Sequence, residues 1–165
     1  MIRTPIWKLL ILTLVSGAIL TACTVTGTEL PFEPLVESDQ AILSAYQGQE
    51  PKVEIIRNIE DAQSLSNELW PPMQEEVMSV DYDSAFVVVV FQGLRPTTGN
   101  RAEIRRIVAR DDQLIIYARF TVAGYGVPVG GMPTSSRFAA KVERMGEIDP
   151  NTEIVLKIDE VKKQR

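Results

Sequence analysis

The stretch Ser84-Ala85-Phe86-Val87-Val88-Val89-Val90-Phe91-Gln92 decides the fold. Its apolar core, from Phe86 to Phe91, is too short for a useful helix, and its Val and Phe side chains favour extended backbone. Side chains alternate along a strand, so an unbroken apolar run has no polar face to turn to water. It predicts a central strand covered on both sides.

Outward from this strand, turn signals and strand-like runs alternate. Upstream, residues 52–58 are rich in β-branched side chains and read as a strand. Residues 59–70 read as a helix, with Ala62, Leu65, Leu69 and Trp70 on one face and Pro71-Pro72 ending it. Downstream, residues 93–99 (Gly-Leu-Arg-Pro-Thr-Thr-Gly) form a loop by composition. Residues 101–110 and 113–121 look like strands joined by a hairpin turn at Asp111-Asp112. Residues 123–136 form a long Gly/Pro loop, and residues 137–144 and 153–161 are further strands. About six strands with one helix predict a mainly β fold of the α+β type, an antiparallel sandwich or a partly open barrel. The short links between the last four strands favour a meander.

Composition removes several chemistries. The chain has no histidine and a single cysteine, Cys23. Catalytic arrangements of the Ser-His-Asp and Cys-His kinds, and zinc sites of Cys and His, are therefore not available. An intrachain disulfide has no second thiol. With 17 basic and 22 acidic residues the net charge is −5. That balance disfavours nucleic acid as a partner, which rewards clustered Lys and Arg. Arg101, Arg105, Arg106 and Arg110 form one basic run, but on a strand with acids nearby.

The N-terminus has the pattern of a targeting segment. Arg3 and Lys8 precede an apolar run over residues 9–20, which as a helix would span about 18 Å against roughly 30 Å of bilayer hydrocarbon. Leu20-Thr21-Ala22-Cys23 resembles the lipobox of bacterial lipoproteins. The resemblance implies cleavage before Cys23 and lipid on its thiol, with two or more acyl chains giving stable anchoring. Thr24 carries no inner-membrane retention signal of that family. The expected organisation is a signal peptide over 1–22, a lipidated tether over 23–34 and one domain over 35–165. The expected location is the bacterial cell envelope. Loss of Arg3 and Lys8 takes the net charge from −5 to −7.

Candidate binding residues lie on the two glycine-rich loops: Arg95, Pro96, Thr97, Thr98 and Gly99 on the first, Tyr125, Val127, Pro128, Gly130 and Gly131 on the second. Function concentrates on loops held by a rigid scaffold, although Pro, Gly and Thr also serve plain turn chemistry. Neither loop has phosphate-cradle spacing or opens a predicted helix. Asp81 and Asp83, Asp111-Asp112, and Asp149 with Asn151 sit in turns without EF-hand spacing. No catalytic residue, metal or cofactor is expected.

Val80-Asp81-Tyr82-Asp83, the strand Phe86 to Phe91, Gly93 and Pro96-Thr97-Thr98-Gly99, with Leu69-Trp70 and prolines upstream, resemble the C-terminal domain of the protease complex subunit PrcB family over roughly residues 35–145. That resemblance implies a non-catalytic accessory domain whose partner is another protein, such as a secreted protease. The sequence departs from the family pattern at Asn100 and at Ser135-Ser136. Pro96 to Gly99, Gly130-Gly131 and Arg137-Phe138 also bear a fainter similarity to the three binding loops of chagasin-type cysteine-protease inhibitors. Arg95 replaces an asparagine there, and no proline separates Arg137 from Phe138.

Overall fold

The computed structural model describes residues 27–35, 46–124, 130–144, 149 and 151–163. The expected signal peptide, Cys23, and the loop residues Tyr125, Val127 and Pro128 lie outside these. The described residues form β1 (Thr28–Leu30), β2 (Phe32–Pro34), β3 (Lys52–Ile56), α1 (Ile59–Leu65), a 3-10 turn (Ser66–Glu68), α2 (Pro71–Met78), β4 (Ala85–Phe91), β5 (Arg101–Arg110), β6 (Gln113–Ala123), β7 (Arg137–Glu143) and β8 (Glu153–Lys163). Sheet A has the order β1-β5-β6-β8 and sheet B the order β2-β7-β4-β3. The two sheets pack as a sandwich, and the helices cover the far side of sheet B. The fold is thus the β-rich α+β sandwich expected, with three layers.

β4 is central, and all seven of its residues are buried. It pairs with β3 on one side and β7 on the other. Phe86, Val88 and Val90 pack into the core between the sheets, with Ile104, Ile107, Ile116 and Phe120. Val87, Val89 and Phe91 pack under the helices, against Ala62, Leu65, Leu69, Met73 and Val77. One apolar strand therefore serves two cores, and each fully buried Val or Phe contributes about 1.5–3 kcal/mol.

Four expectations are corrected. First, there are two helices. Asn58 caps α1 by accepting from the Asp61 N–H at 2.7 Å, and Asp61 accepts from the Arg57 N–H at 2.9 Å. Pro71 and Pro72 do not merely stop a helix: they occupy the first turn of α2, where a fixed φ helps and a missing N–H costs nothing. Second, the segment assigned to the tether is already part of the domain from Thr28 onward. Leu30 pairs with Ile107 in sheet A and Phe32 with Val142 in sheet B, and Pro31 between them marks the change of sheet.

Third, the described residues hold eight strands rather than about six. Fourth, the last strands are no meander. β7 carries buried side chains on both faces, Phe138, Ala140 and Val142 on one and Ala139 on the other. Only a place in sheet B, beside β4, covers both. β8 then returns to sheet A and pairs with β6 in parallel.

The hairpin between β5 and β6 turns at Asp111-Asp112 as expected, with Asp111 at φ 52. A bulge between Ile104 and Arg106 resets the alternation of β5. Ala102 and Ile104 before it, and Ile107 and Ala109 after it, all face the core. No helix among the described residues is long and apolar enough to cross a membrane.

Candidate functional site

The end of β4, the start of β5, the end of β6 and the start of β7 meet at one end of the sandwich. The two glycine-rich loops leave from there, and they are joined. Arg95 and Thr134 form an antiparallel bridge, each N–H donating to the other's carbonyl at 2.8 Å. The Thr98 N–H donates to the Gly130 carbonyl at 3.0 Å, and the Gly130 N–H donates to the Thr98 hydroxyl oxygen at 2.7 Å. The Thr134 hydroxyl donates to the Thr97 carbonyl at 2.9 Å. Bonds of this kind are worth about 0.5–1.5 kcal/mol each. Several acting together fix the loops as one platform.

Below the platform lies a buried polar layer of Gln92, Asn100, Thr134, Ser135 and Ser136. The Asn100 amide donates to the Thr97 carbonyl, and its oxygen accepts from the Ala123 N–H at 3.2 Å. Asn100 thus ties the first loop to the end of β6. The Ser136 hydroxyl accepts from the Ala102 N–H at 2.8 Å, and its carbonyl accepts from the Gln92 N–H at 2.8 Å. Gly93 and Gly99 both have φ +82, and a Cβ on Gly93 would collide with the Gln49 carbonyl. Pro96, Gly99, Gly130, Gly131, Met132 and Pro133 are exposed above this layer. Met132 is 51% exposed, one of four large apolar residues so placed among the described ones.

Two contacts extend the platform sideways. The Arg95 guanidinium pairs with the Glu160 carboxylate of β8 at 3.1 Å. On the helical side, Lys52 sits 5.1 Å from the Tyr46 ring and 5.4 Å from that of Phe91. Burial alone would lower the Lys52 pKa, but its bonds to Glu68 at 2.8 Å and Glu54 at 3.1 Å outweigh this and raise it. Arg137, which opens β7, donates to the Glu68 carbonyl at 3.1 Å, and burial lowers its pKa. Arg137 and Phe138 lie within a strand, with Phe138 in the core. They form no third loop beside Thr97 and Gly130, which removes one element of the chagasin-like arrangement.

The other candidates are dispersed. Asp81, in the turn before β4, accepts from the Ser84 hydroxyl at 2.8 Å and the Asp83 N–H at 3.1 Å, and these bonds lower its pKa. Asp111, Asp112, Asp149 and Asn151 line a cavity of about 430 Å³ at the end of the sandwich opposite the loops. Asp149 there accepts from the Asn151 N–H at 2.7 Å. Among the described residues no three acidic side chains converge in a way that would hold a metal ion.

One assembly was not foreseen from sequence. On the outer face of sheet A, the Arg106 guanidinium lies 4.4 Å and the Lys157 ammonium 5.4 Å from the Tyr117 ring. A hydrogen bond from Arg106, then the charge of Lys157, holds the Tyr117 phenol below its usual pKa. Arg105 and Arg119 join them around a cavity of about 440 Å³. Alternation alone could not assemble this face, because β8 joins the β5–β6 hairpin from a separate part of the chain and a bulge shifts β5. Compared with models of known protein families, with curated proteins and with solved structures, the chain matches none.

Proposed function

We propose that this chain is a lipid-anchored binding module of a bacterial envelope, contacting another protein through the joined loops at 93–99 and 130–134. The carrying observation is the platform itself. Two loops far apart in sequence are bonded to each other over a buried polar layer, and they present Met132, Pro133 and Pro96 to solvent. A rigid apolar tip with a polar rim lowers the ordering cost of association. Its exposed groups are backbone, proline and methionine, with Thr97 and Thr98 half-buried beside them, and these suit contact better than proton transfer.

Placement supports display from an anchor. Thr28 pairs with Ala109 beside the β5–β6 hairpin, so the chain enters the domain at the end opposite the loops. Along the ten residues of β5 the two ends are about 30 Å apart. Lipid on Cys23 would therefore hold the domain at one end and leave the loops clear. The resemblance to the PrcB family suggests a secreted protease as the partner class.

Two measurements test the parts separately. The mass of the N-terminal peptide from membrane-extracted protein should show Cys23 as the first residue with diacylglyceryl lipid; an unmodified Met1 terminus would remove the anchor. Replacing Met132 with Asp and Pro96 with Ser should abolish partner capture while leaving the melting temperature within a few degrees. Undiminished capture would remove the loops from the interface.

A further inference from the structure

β8 is the outermost strand of sheet A, and among the described residues β6 is the one strand hydrogen-bonded to it. Along the other side of β8, alternate backbone N–H and C=O groups meet no strand among the described residues. Natural edge strands are commonly kept short, or interrupted by proline or bulges, to prevent such groups from recruiting another chain. β8 has eleven residues and no proline. It also holds two of the four exposed large apolar residues among those described, Ile158 at 43% and Val161 at 40%.

We infer that β8 pairs antiparallel with β8 of a second copy of this chain, about a two-fold axis at Ile158. The two sheets A then form one continuous eight-stranded sheet. Charge and extent of pairing together select this register: centres at Val155 or Val161 also avoid like charges, but they pair only residues 153–157 or 159–163 of the strand. A two-fold axis normal to the sheet keeps each face on its own side, so facing residues share parity and the pairing centres on one residue. Centred on Lys157, that lysine faces its own copy; centred on Asp159, so does that carboxylate. Centred on Glu160, Glu160 faces itself and Lys157 faces Lys163. Centred on Leu156, Glu153 faces Asp159.

With Ile158 at the centre, no like charges face each other. Glu153 faces Lys163, Lys157 faces Asp159, Val155 faces Val161, and Ile158 meets Ile158. Lys157 has no carboxylate partner among the described residues, and this register supplies one. Asp159 is paired with Arg119 at 2.9 Å, yet its side chain stays 60% exposed and can accept from a second cation. Leu156 and Ile154 face Glu160 and Lys162, whose stems can cover them.

The axis places the two outer faces of sheet A on the same side. Gly27 packs against Val108 on that face, so both chain entries are on that side as well. Antiparallel pairing sets the entry end of one copy beside the loop end of the other, and the pairing does not depend on lipid at Cys23 or on what the loops bind.

Cysteine scanning in the full-length chain, extracted in mild detergent, tests the register. Facing Cα atoms are about 4.5–5.5 Å apart and can form a disulfide, whereas diagonal neighbours are about 7–8 Å apart and cannot. Ile158→Cys should cross-link to a dimer well above the parent chain, whose one thiol is Cys23. Lys157→Cys and Asp159→Cys should each link poorly alone and efficiently when mixed. Lys157→Glu should raise the dissociation constant about tenfold, and Lys157→Glu with Asp159→Lys should restore it. Ile158 is 43% exposed in the single chain, so its variant is expected to fold, which the circular dichroism of the reduced protein checks. A parent chain that sediments as a monomer on the order of 10 μM would overturn the inference. So would equal cross-linking at 157, 158 and 159 alone, or a dimer that does not link through 158.

Discussion

Tyr82 shows how a single side chain couples helix to sheet. Its hydroxyl donates to the Val77 carbonyl at the end of α2 at 2.8 Å, and its ring packs under β4. Burial, then the nearby Asp61 charge, pushes its pKa up to about 12 from an ordinary 10.0. The raised value sets the sign. Between about pH 10 and 12 the folded chain holds a proton that the unfolded chain has lost, so stability is full below pH 10 and falls as pH rises through 12. Tyr82→Phe should cost about 1 kcal/mol at neutral pH and flatten that alkaline decline, as read from urea unfolding at a series of pH values. Ser136→Ala should cost about 1–3 kcal/mol in the same assay, because the buried Ala102 N–H loses its acceptor. The sequence flagged Tyr82 only as part of a resemblance, and Ser136 only as the end of a loop and a departure from that resemblance. A serine's burial depends on what closes over it, here β5 and the loop at 93–100, and nothing in its neighbours along the chain reports that.

At the scale of elements, legibility follows locality. β4 was legible because its own side chains require two covered faces, and the hairpin because its turn residues are contiguous with its strands. The first loop was legible as a candidate from Gly, Pro and Thr alone. Gly93 lies where φ is +82 and a Cβ would meet the Gln49 carbonyl, so Gly93→Ala should destabilise by more than about 1 kcal/mol, measured by thermal unfolding. Phe91→Ala, emptying the core under the helices, should cost about 3–5 kcal/mol. The sheet assignments of β7 and β8 were not legible. Short links made them look like neighbours, but the choice of sheet is made by burial on both faces, which only the assembled layers define. Thr28 to Pro34 looked like a tether for the same reason: three-residue strands carry little pattern, and Leu30 and Phe32 reveal their role only against Ile107 and Val142.

Across the whole molecule, the sandwich separates its features by position. The chain enters beside the β5–β6 hairpin, the bonded loops occupy the other end, the helices close one side and β8 leaves an edge open. Site-specific photo-crosslinking in the native membrane tests the loop surface most directly, with the reactive group at Met132 on the loop tip and, for comparison, at Ile59 on the exposed side of α1. The expected result is a discrete heterologous adduct from position 132 and none of that mass from position 59. Identical adducts from both positions, or no discrete adduct at 132, would contradict binding through the joined loops.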